Sequence, residues 1–329
     1  MILPRIIRPN AGFIIPTRRF LDVQMAPGVV GASGRYQLIK RNAFGREIER
    51  TPWFDNIILD AGLNRVGTAQ AIAGAAIGTG TSAPNASQTG LDTQVHWTTT
   101  TGAGWGTETA AGANPYNNTI TYVYRTTLGA LNGNYTEVGV GWASGSMFSR
   151  ALILDGVGSP TSISVGSAEQ LDIVYQLSIY PPLVDTSNVV TISGVDYTVT
   201  GRAANVNAMN PISQTWRPSW FASKAVDIFP LANNVITTNG AIGAVTTLPA
   251  GTQLAQGSSA LIGAYSNNSM TRSARHTYGL NDSNHTGNTR SVVACWYFAT
   301  FQYEFNPVLP KNNTKTMTLD FSITWARRP

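Results

Sequence analysis

The side chains best suited to metal or nucleophilic chemistry are few and scattered along the sequence. The histidines are His96, His276 and His285, and Cys295 is the single cysteine. His276 and His285 have Asp282 between them, but their spacing matches no established ligand pattern. One cysteine can form neither an intrachain disulfide nor a thiolate cluster. We therefore expect no metal and no cofactor, and we interpret His276 and His285 as exposed loop residues and His96 as a packed or hydrogen-bonded histidine.

The acidic residues offer no clear catalytic pair. Glycoside hydrolysis needs two carboxylates about 5 to 10 Å apart, and the candidates are Asp55 with Asp60, Glu137 with Asp155, and Glu169 with Asp172. Glu169 and Asp172 fall on opposite faces of a regular strand. The glycine-rich GTGTSAP (78–84) lacks the lysine of a phosphate-binding loop, and neither G-x-S-x-G nor H-E-x-x-H occurs. We therefore expect no catalytic residues and no enzymatic activity.

Tryptophans in loop-like segments are the remaining side chains that indicate a ligand. Rings exposed on loops can stack on the apolar faces of sugars, so we consider as candidate glycan contacts Trp97, Trp105, Trp216 and Trp220. The alternative, in which these rings pack against their own sheet or against a neighbouring subunit, is the commoner arrangement of large aromatic side chains. Both interpretations stay open at the level of the sequence.

Charge is scarce and unevenly distributed. Charged residues make up 12% of the chain, about half the roughly 25% of an ordinary soluble domain. The net charge of +5 lies in the first 65 residues, and the rest of the chain is balanced. No zinc-finger or helix-turn-helix pattern and no regular aromatic interleaving accompanies the arginines, so we expect contacts with other protein subunits rather than with nucleic acid. No stretch approaches the roughly 20 apolar residues of a membrane span, so we expect no membrane partner.

The elements that position these side chains begin with an extended, basic, proline-rich arm over residues 1–34. Pro4, Pro9, Pro16 and Pro27 prevent a regular helix. Burying the apolar side chains of the arm requires a partner, which we expect to be a neighbouring subunit; wrapping around its own body is the alternative. The candidate assembly contacts are Arg5, Arg8, Phe13, Arg18, Arg19 and Phe20.

Segments of residues 35–329 alternate between apolar and polar side chains, which is typical of the strands of a β-sandwich body. We divide them into a first part (35–183), an irregular embellishment (184–292) and closing strands (293–329). The clearest strands are 119–126, 169–180 and 315–326, and we expect the inward-facing side chains to be Ile120, Tyr122 and Tyr124; Leu171, Ile173, Tyr175, Leu177 and Ile179; and Met317, Leu319, Phe321, Ile323 and Trp325. The sequence therefore predicts an all-β fold, an antiparallel sandwich or jelly-roll-like body with long loops and no internal repeat.

Local signals complete this interpretation. Ala43-Phe44-Gly45 joins two alternating segments and predicts a hairpin. LDAGLNRVG (59–67) predicts a short helix that Asp60 caps and Gly67 ends. Residues 68–118 are rich in small residues and predict long loops with one strand near AAIGTG. NVVTISGVDYTVT predicts a pair of strands.

Several segments together resemble structural proteins of the tail and tail fibres of tailed bacteriophages. The resemblance covers roughly residues 35–329, and the segments that carry it are WFDNIILDAGLNRVG, AIGTGTSAPNASQTGLDTQV, YTEVGVGWASGSMFSRALILDGVGSPTSISVGSAEQLDIVYQLSIYPP, GLNDSNHTGNTRS and PVLPKNNTKTMTLDFSITWARR. The resemblance implies that the segments GTG-x-x-AP (78–84) and FSRA (148–151) define the fold, and that Arg150 forms a buried or interface ion pair. The arm lies outside the resemblance.

The resemblance implies a non-enzymatic virion protein without a cofactor, made in the cytoplasm of the bacterial host and located in the tail, baseplate or neck. Its partners would be further copies of itself and other tail or neck proteins. The alternative is a tail-fibre protein that binds a host surface polysaccharide. A third class, the tailspike depolymerases, resembles long β-helices with short repeats, which this sequence lacks.

Overall fold

The structure is a computed structural model that describes residues 19–208, 215–223, 235–254 and 259–328. Strands make up about 52% of it and helices about 5%, with several antiparallel sheets, so the predicted all-β class is confirmed. Neither described helix is long and apolar enough to cross a membrane.

The strands form one large sheet and three smaller ones. The ten-stranded sheet contains β1 (Arg19–Gln24), β2 (Gly28–Asn42), β3 (Glu47–Arg50), β4 (Phe54–Asp55), β8 (Thr107–Ala110), β9 (Asn118–Arg125), β14 (Glu169–Tyr180), β19 (Ser259–Ile262), β20 (Thr271–Tyr278) and β23 (Lys315–Arg327). The five-stranded sheet contains β5 (Ile57–Ile58), β6 (Gly74–Gly78), β7 (Gln94–Thr98), β11 (Glu137–Ala143) and β12 (Ser146–Leu152). The six-stranded sheet contains β15 (Thr186–Ile192), β16 (Val195–Ala203), β17 (Val235–Thr238), β18 (Gln253–Leu254), β21 (Thr289–Trp296) and β22 (Ala299–Leu309). A two-stranded sheet pairs β10 (Gly133–Tyr135) with β13 (Ile163–Val165), and the helices are α1 (Asp60–Val66) and α2 (Pro218–Ser223).

The ten-stranded sheet has the strand order β19-β20-β23-β2-β14-β9-β8, with β1, β3 and β4 beside this path. The three strands with the clearest alternation are its β9, β14 and β23, and every side chain predicted to face inward on them is at most 3% exposed. The prediction for these strands is therefore confirmed. Alternation is informative here because one face of each strand contacts the core and the other does not.

The two larger companion sheets cover the same face of the ten-stranded sheet. Gly28 and Tyr36 point to one face because they are an even number of residues apart on β2. Tyr36 contacts Ser149 of the five-stranded sheet, with 2.6 Å between the hydroxyl oxygens. A Cβ on Gly28 would lie 2.8 Å from the Phe301 ring of the six-stranded sheet. The core is thus a layer with one large sheet on one side and two smaller sheets on the other, which is a sandwich-like arrangement.

Residues 19–34 belong to this core, which corrects half of the predicted arm. β1 pairs in parallel with β23 from Arg19 opposite Lys315 onwards, and β2 continues along the same strand. Leu21 and Val23 are at most 4% exposed. Pairing with β23 occupies one edge of β1 and buries alternate apolar side chains of this stretch within its own chain. Residues 1–18, with Arg5, Arg8, Phe13 and Arg18, lie outside the described residues.

The local predictions have mixed outcomes. The hairpin of β2 and β3 is confirmed, with Gly45 at a φ of 77°, and so is the pairing of β15 with β16. Helix α1 is present, but Asp60 is not its cap: Leu59 precedes the helix without a side-chain cap, and Asp60 pairs with Arg327. Between residues 68 and 118 the structure has three strands rather than one, because β7 and β8 form in segments whose small polar residues resemble loops.

Candidate functional site

A buried ionic cluster connects the two segments that the sequence identifies as fold-defining. β11 and β12 are antiparallel neighbours, and their side chains Glu137 and Arg150 are both completely buried. Arg150 donates to Glu137 Oε2 over 2.8 Å and to Asp92 Oδ1 over 2.7 Å. Arg150 and Ser82 donate hydrogen bonds to Asp92 and lower the pKa of its carboxyl to about 2. The predicted ion pair of Arg150 is therefore present, and it is buried.

The Glu137 carboxylate also fixes the glycine-rich loop at residues 78–84. Glu137 accepts backbone N–H bonds from Gly80 (2.9 Å), Thr93 (2.8 Å) and Asp92 (3.0 Å). A Cβ on Gly80 would lie 2.5 Å from Glu137 Oε1, closer than side chains approach. Glycine is thus required at residue 80 by a close approach between this loop and a buried carboxylate.

The contacts of this cluster are those of a structural ion pair, and they leave neither carboxylate oxygen of Glu137 free. Both oxygens of Glu137 are occupied by amide and guanidinium donors, and water does not reach them. Asp155, weighed above as its catalytic partner, accepts N–H bonds from Val157 (3.0 Å) and Ser159 (2.8 Å) and shapes a turn. General acid-base catalysis requires a proton donor or acceptor within reach of a substrate. The Glu137 and Asp155 geometry supplies none.

A second buried carboxylate lies on the opposite face of the ten-stranded sheet from the core. The Asp172 side chain is 2% exposed and lies between Arg41 and Arg125. Arg125 donates to both of its oxygens, over 2.5 and 2.8 Å, and Arg41 donates over 2.7 Å. These bonds join β2, β14 and β9 across the sheet. Asp172 and Glu169 are an odd number of residues apart on β14, so their side chains lie on opposite faces, as predicted.

The histidines do not form a metal site. His276 is completely buried on β20, so its prediction as an exposed loop residue is wrong: the strand runs through HTY and turns this ring into the core. Burial lowers the pKa of His276 to about 4. His285 lies elsewhere, with Nε2 2.9 Å from the Thr237 hydroxyl. Within the described ranges, no group of three or more His, Cys, Asp or Glu side chains could hold a metal ion.

The four candidate glycan contacts have different environments. Trp216 is a core residue with no exposed surface, and its Nε1 donates to the Ala204 carbonyl over 2.9 Å. Its prediction as a glycan contact is wrong, because the irregular segment that contains it packs beneath β22. Trp97 is partly buried on β7 against a small apolar cluster. Trp105 is 47% exposed and Trp220 is partly buried.

Trp105 precedes β8, and Trp220 lies beside an ion pair that this strand forms. The Trp105 ring meets the buried Tyr122 edge-on, with 5.9 Å between centroids. Glu108 on β8 pairs with Arg217 over 3.0 Å. The Arg217 guanidinium lies 4.8 Å from the centre of the Trp220 ring. Trp105 and Trp220 thus keep exposed or partly exposed rings near this strand, whereas Trp216 is a core residue.

Lys311 is a buried cation that no sequence pattern indicated. It is 1% exposed, and its Nζ donates to the Asp282 carbonyl over 2.7 Å and to Asn284 Oδ1 over 2.8 Å. Burial lowers the pKa of this amine. Lys311 therefore holds the GLNDSNH loop in place. The sequence does not predict this contact, because the loop has no hydrophobic period that would indicate a buried lysine.

Comparison of the chain with protein-family models, with curated proteins and with solved structures found no match. The all-β class follows from the coordinates themselves. The likeness to phage tail proteins stays a prediction that the quoted segments make.

Proposed function

We propose that this chain is a non-enzymatic structural subunit of a tailed-bacteriophage virion. It acts in the tail, baseplate or neck and assembles in several copies through residues 1–18 and its neutral polar loops. The proposal rests on the segments quoted above and on one structural observation, which concerns how the positive charge is divided between residues 1–18 and the body.

Within the body, three of the cations that residues 19–65 supply are paired with carboxylates. Lys40 pairs with Glu49, Arg41 with Asp172 and Arg50 with Glu47. Residues 1–18, in contrast, contain three arginines and no acidic residue. This segment therefore has a surplus of positive charge that an acidic surface would complement.

The same segment is also rich in apolar side chains, among them Ile6, Ile7, Phe13, Ile14 and Ile15. Each gains about 1.5 to 3 kcal/mol when it is fully buried. A segment with proline at residues 4, 9 and 16 buries such side chains by lying extended in a groove or along a sheet edge. Assembly of several copies provides those surfaces.

Purified particles test this proposal directly. Quantitative mass spectrometry of phage particles is expected to find the chain in multiple copies, and antibody labelling in the electron microscope is expected to place it at the tail or neck. Its absence from particles released by cells that express it would overturn the proposal.

One observation favours receptor binding as a second function. Trp105 is 47% exposed, and its loop lies beside the Arg217 and Glu108 pair, a combination of ring and polar groups that suits a sugar. Binding of the isolated protein to host cells is expected to fall when Trp105→Ala is introduced and to persist with Trp97→Ala. Equal binding by both variants would remove this function from consideration.

A further inference from the structure

The six-stranded sheet ends in a long open edge. β15 is the first strand in the order of this sheet and pairs with β16 alone, from Thr186 opposite Gly201 to Ile192 opposite Val195. Among the described residues, β15 makes no backbone hydrogen bond beyond this ladder. Its seven residues exceed the five of β7 and the four of β8 and β19, which end the other large sheets. Outward-pointing N–H and C=O groups on such an edge are available to another strand.

Nothing in the composition of β15 blocks such pairing. Its sequence, TSNVVTI, has no charged residue and no proline, and Val189 is 63% exposed. The edge strand β3 differs, because its sequence EIER has three charged residues in four. Charges and prolines are the usual means by which proteins keep sheet edges from pairing. β15 lacks this protection.

A segment of matching length lies within residues 1–18. Asn10–Ile15, with the sequence NAGFII, is the stretch between Pro9 and Pro16. All six residues have the backbone N–H that a strand needs, which the prolines on either side lack. Phe13 and Ile15 would lie on one face of the added strand and Ile14 on the other.

Charge at one end of the edge agrees with this pairing. Arg8 precedes the segment and Arg18 follows it. Asp185 precedes β15, and Asp196 lies opposite Thr191 near its other end. Asp185 is paired with Arg202, whereas Asp196 has no ion-pair partner in the described part of the chain and accepts a hydrogen bond from Thr191 over 2.6 Å. Asp196 therefore gives one end of the edge a negative charge that an arginine beside the segment would complement.

The route of the chain favours a second copy as the source of the segment. β1 runs opposite to β15, since Asn188 bonds the Gln24 carbonyl over 2.8 Å and Thr186 bonds the Pro27 carbonyl over 3.4 Å. Within one chain, Pro16–Arg18 would have to turn the chain between the start of β1 and the β15 edge in three residues. Between two copies this restriction disappears.

We propose that Asn10–Ile15 of one copy adds to the free edge of β15 in a second copy and extends the six-stranded sheet. The inference rests on the proposed function, because it specifies the surface that receives the segment. It is an instance of strand addition, in which backbone bonds supply affinity and alternate side chains supply specificity.

Engineered disulfides between full-length chains test the inference. Adjacent strands bring opposite residues about 4.5 to 5.5 Å apart, within the Cα range of a disulfide. One preparation contains Val189→Cys, and two others contain Phe13→Cys or Ile14→Cys, which sample both faces. The control is Val95→Cys, a 52% exposed residue on the edge strand β7. Cys295 is buried and does not interfere.

We expect mixtures with Val189→Cys to give a covalent heterodimer on oxidation with one of the two arm variants, and mixtures with Val95→Cys to give none. Absence of the heterodimer, while light scattering still shows an oligomer that residues 1–18 are needed to form, would overturn this inference and leave the proposed function standing. A further chain contains Val189→Cys together with Phe13→Cys or Ile14→Cys. Cross-linking that occurs only within single copies of this chain would overturn the inference and the proposed role of residues 1–18 together.

Discussion

Arg150 Nη2 lies 2.8 Å from Glu137 Oε2, and neither side chain has any exposed surface. The pair joins β11 to β12, and through the amides that Glu137 accepts it also fixes the loop at Gly80. Removing one partner of such a pair leaves the other charge buried without compensation, and this is the costly event for a buried ion pair.

Glu137→Gln is therefore expected to lower the free energy of unfolding by about 3 to 5 kcal/mol. The matched control is Glu304→Gln, which removes an ion pair with Arg290, a side chain that is 47% exposed. That loss is expected to stay within about 1 kcal/mol. Urea unfolding of both variants measures the difference, and a similar small effect in both would contradict the structural role assigned to Glu137.

The corrected position of Trp216 gives a second prediction. Trp216→Ala removes a fully buried ring and the N–H bond to Ala204, so it is expected to cost about 3 to 5 kcal/mol. Trp105→Ala, at a ring with 47% of its surface exposed, is expected to cost much less. Thermal and urea unfolding of the two variants checks the order, and a reversed order would mean that the two rings have been assigned to the wrong environments.

Much of this arrangement follows from the sequence, and the exceptions have physical causes. Strands with one buried face, such as 169–180, show their period directly. The sequence does not predict the core position of Trp216, because that position depends on distant β22 and not on a local period. The partner of Arg150 is likewise invisible locally, since strand pairing brings Glu137 within reach. Residues 19–34 looked like an arm because Pro27 interrupts them, yet β23 lies alongside and pairs with them.

Cys295 is expected to be inert in the folded protein. The side chain is 2% exposed, and burial raises the pKa of its thiol to about 12. Because the thiolate is the reactive form, a thiol reagent at pH 8 is expected to modify the native chain very slowly and the urea-unfolded chain rapidly. Rapid stoichiometric labelling of native protein would show that this thiol is accessible.

Acid is expected to weaken the fold through His276. Both ring nitrogens are buried and make no hydrogen bond in the described structure, and the charge of Asp282 offsets only part of the effect of burial on the pKa. The pKa is about 4 in the folded state against 6.5 for a free histidine. The unfolded state therefore binds the proton more tightly than the folded state does. The stability that the neutral His276 ring contributes is fully present above pH 6.5 and is lost as the pH falls toward 4, by up to about 3 kcal/mol.

His276→Met is expected to flatten this part of the dependence of unfolding free energy on pH, because it replaces the buried ring with an apolar side chain. His96→Asn, at a half-buried position on β7, is the control and is expected to keep most of the pH dependence of the wild type. Denaturant unfolding at pH 7.5, 6.0 and 4.5 makes the comparison. An identical pH profile for wild type and His276→Met would show that other groups govern acid sensitivity.

The mass of the assembled protein in solution tests the central claim most directly. The deletion that isolates the question removes residues 1–18 only, because a longer deletion would remove β1 and its buried Leu21 and Val23 from the core. Light scattering is expected to give an oligomer for the full chain and a monomer for the shortened chain, with similar thermal unfolding of the two. The same mass for both chains would contradict assembly through residues 1–18.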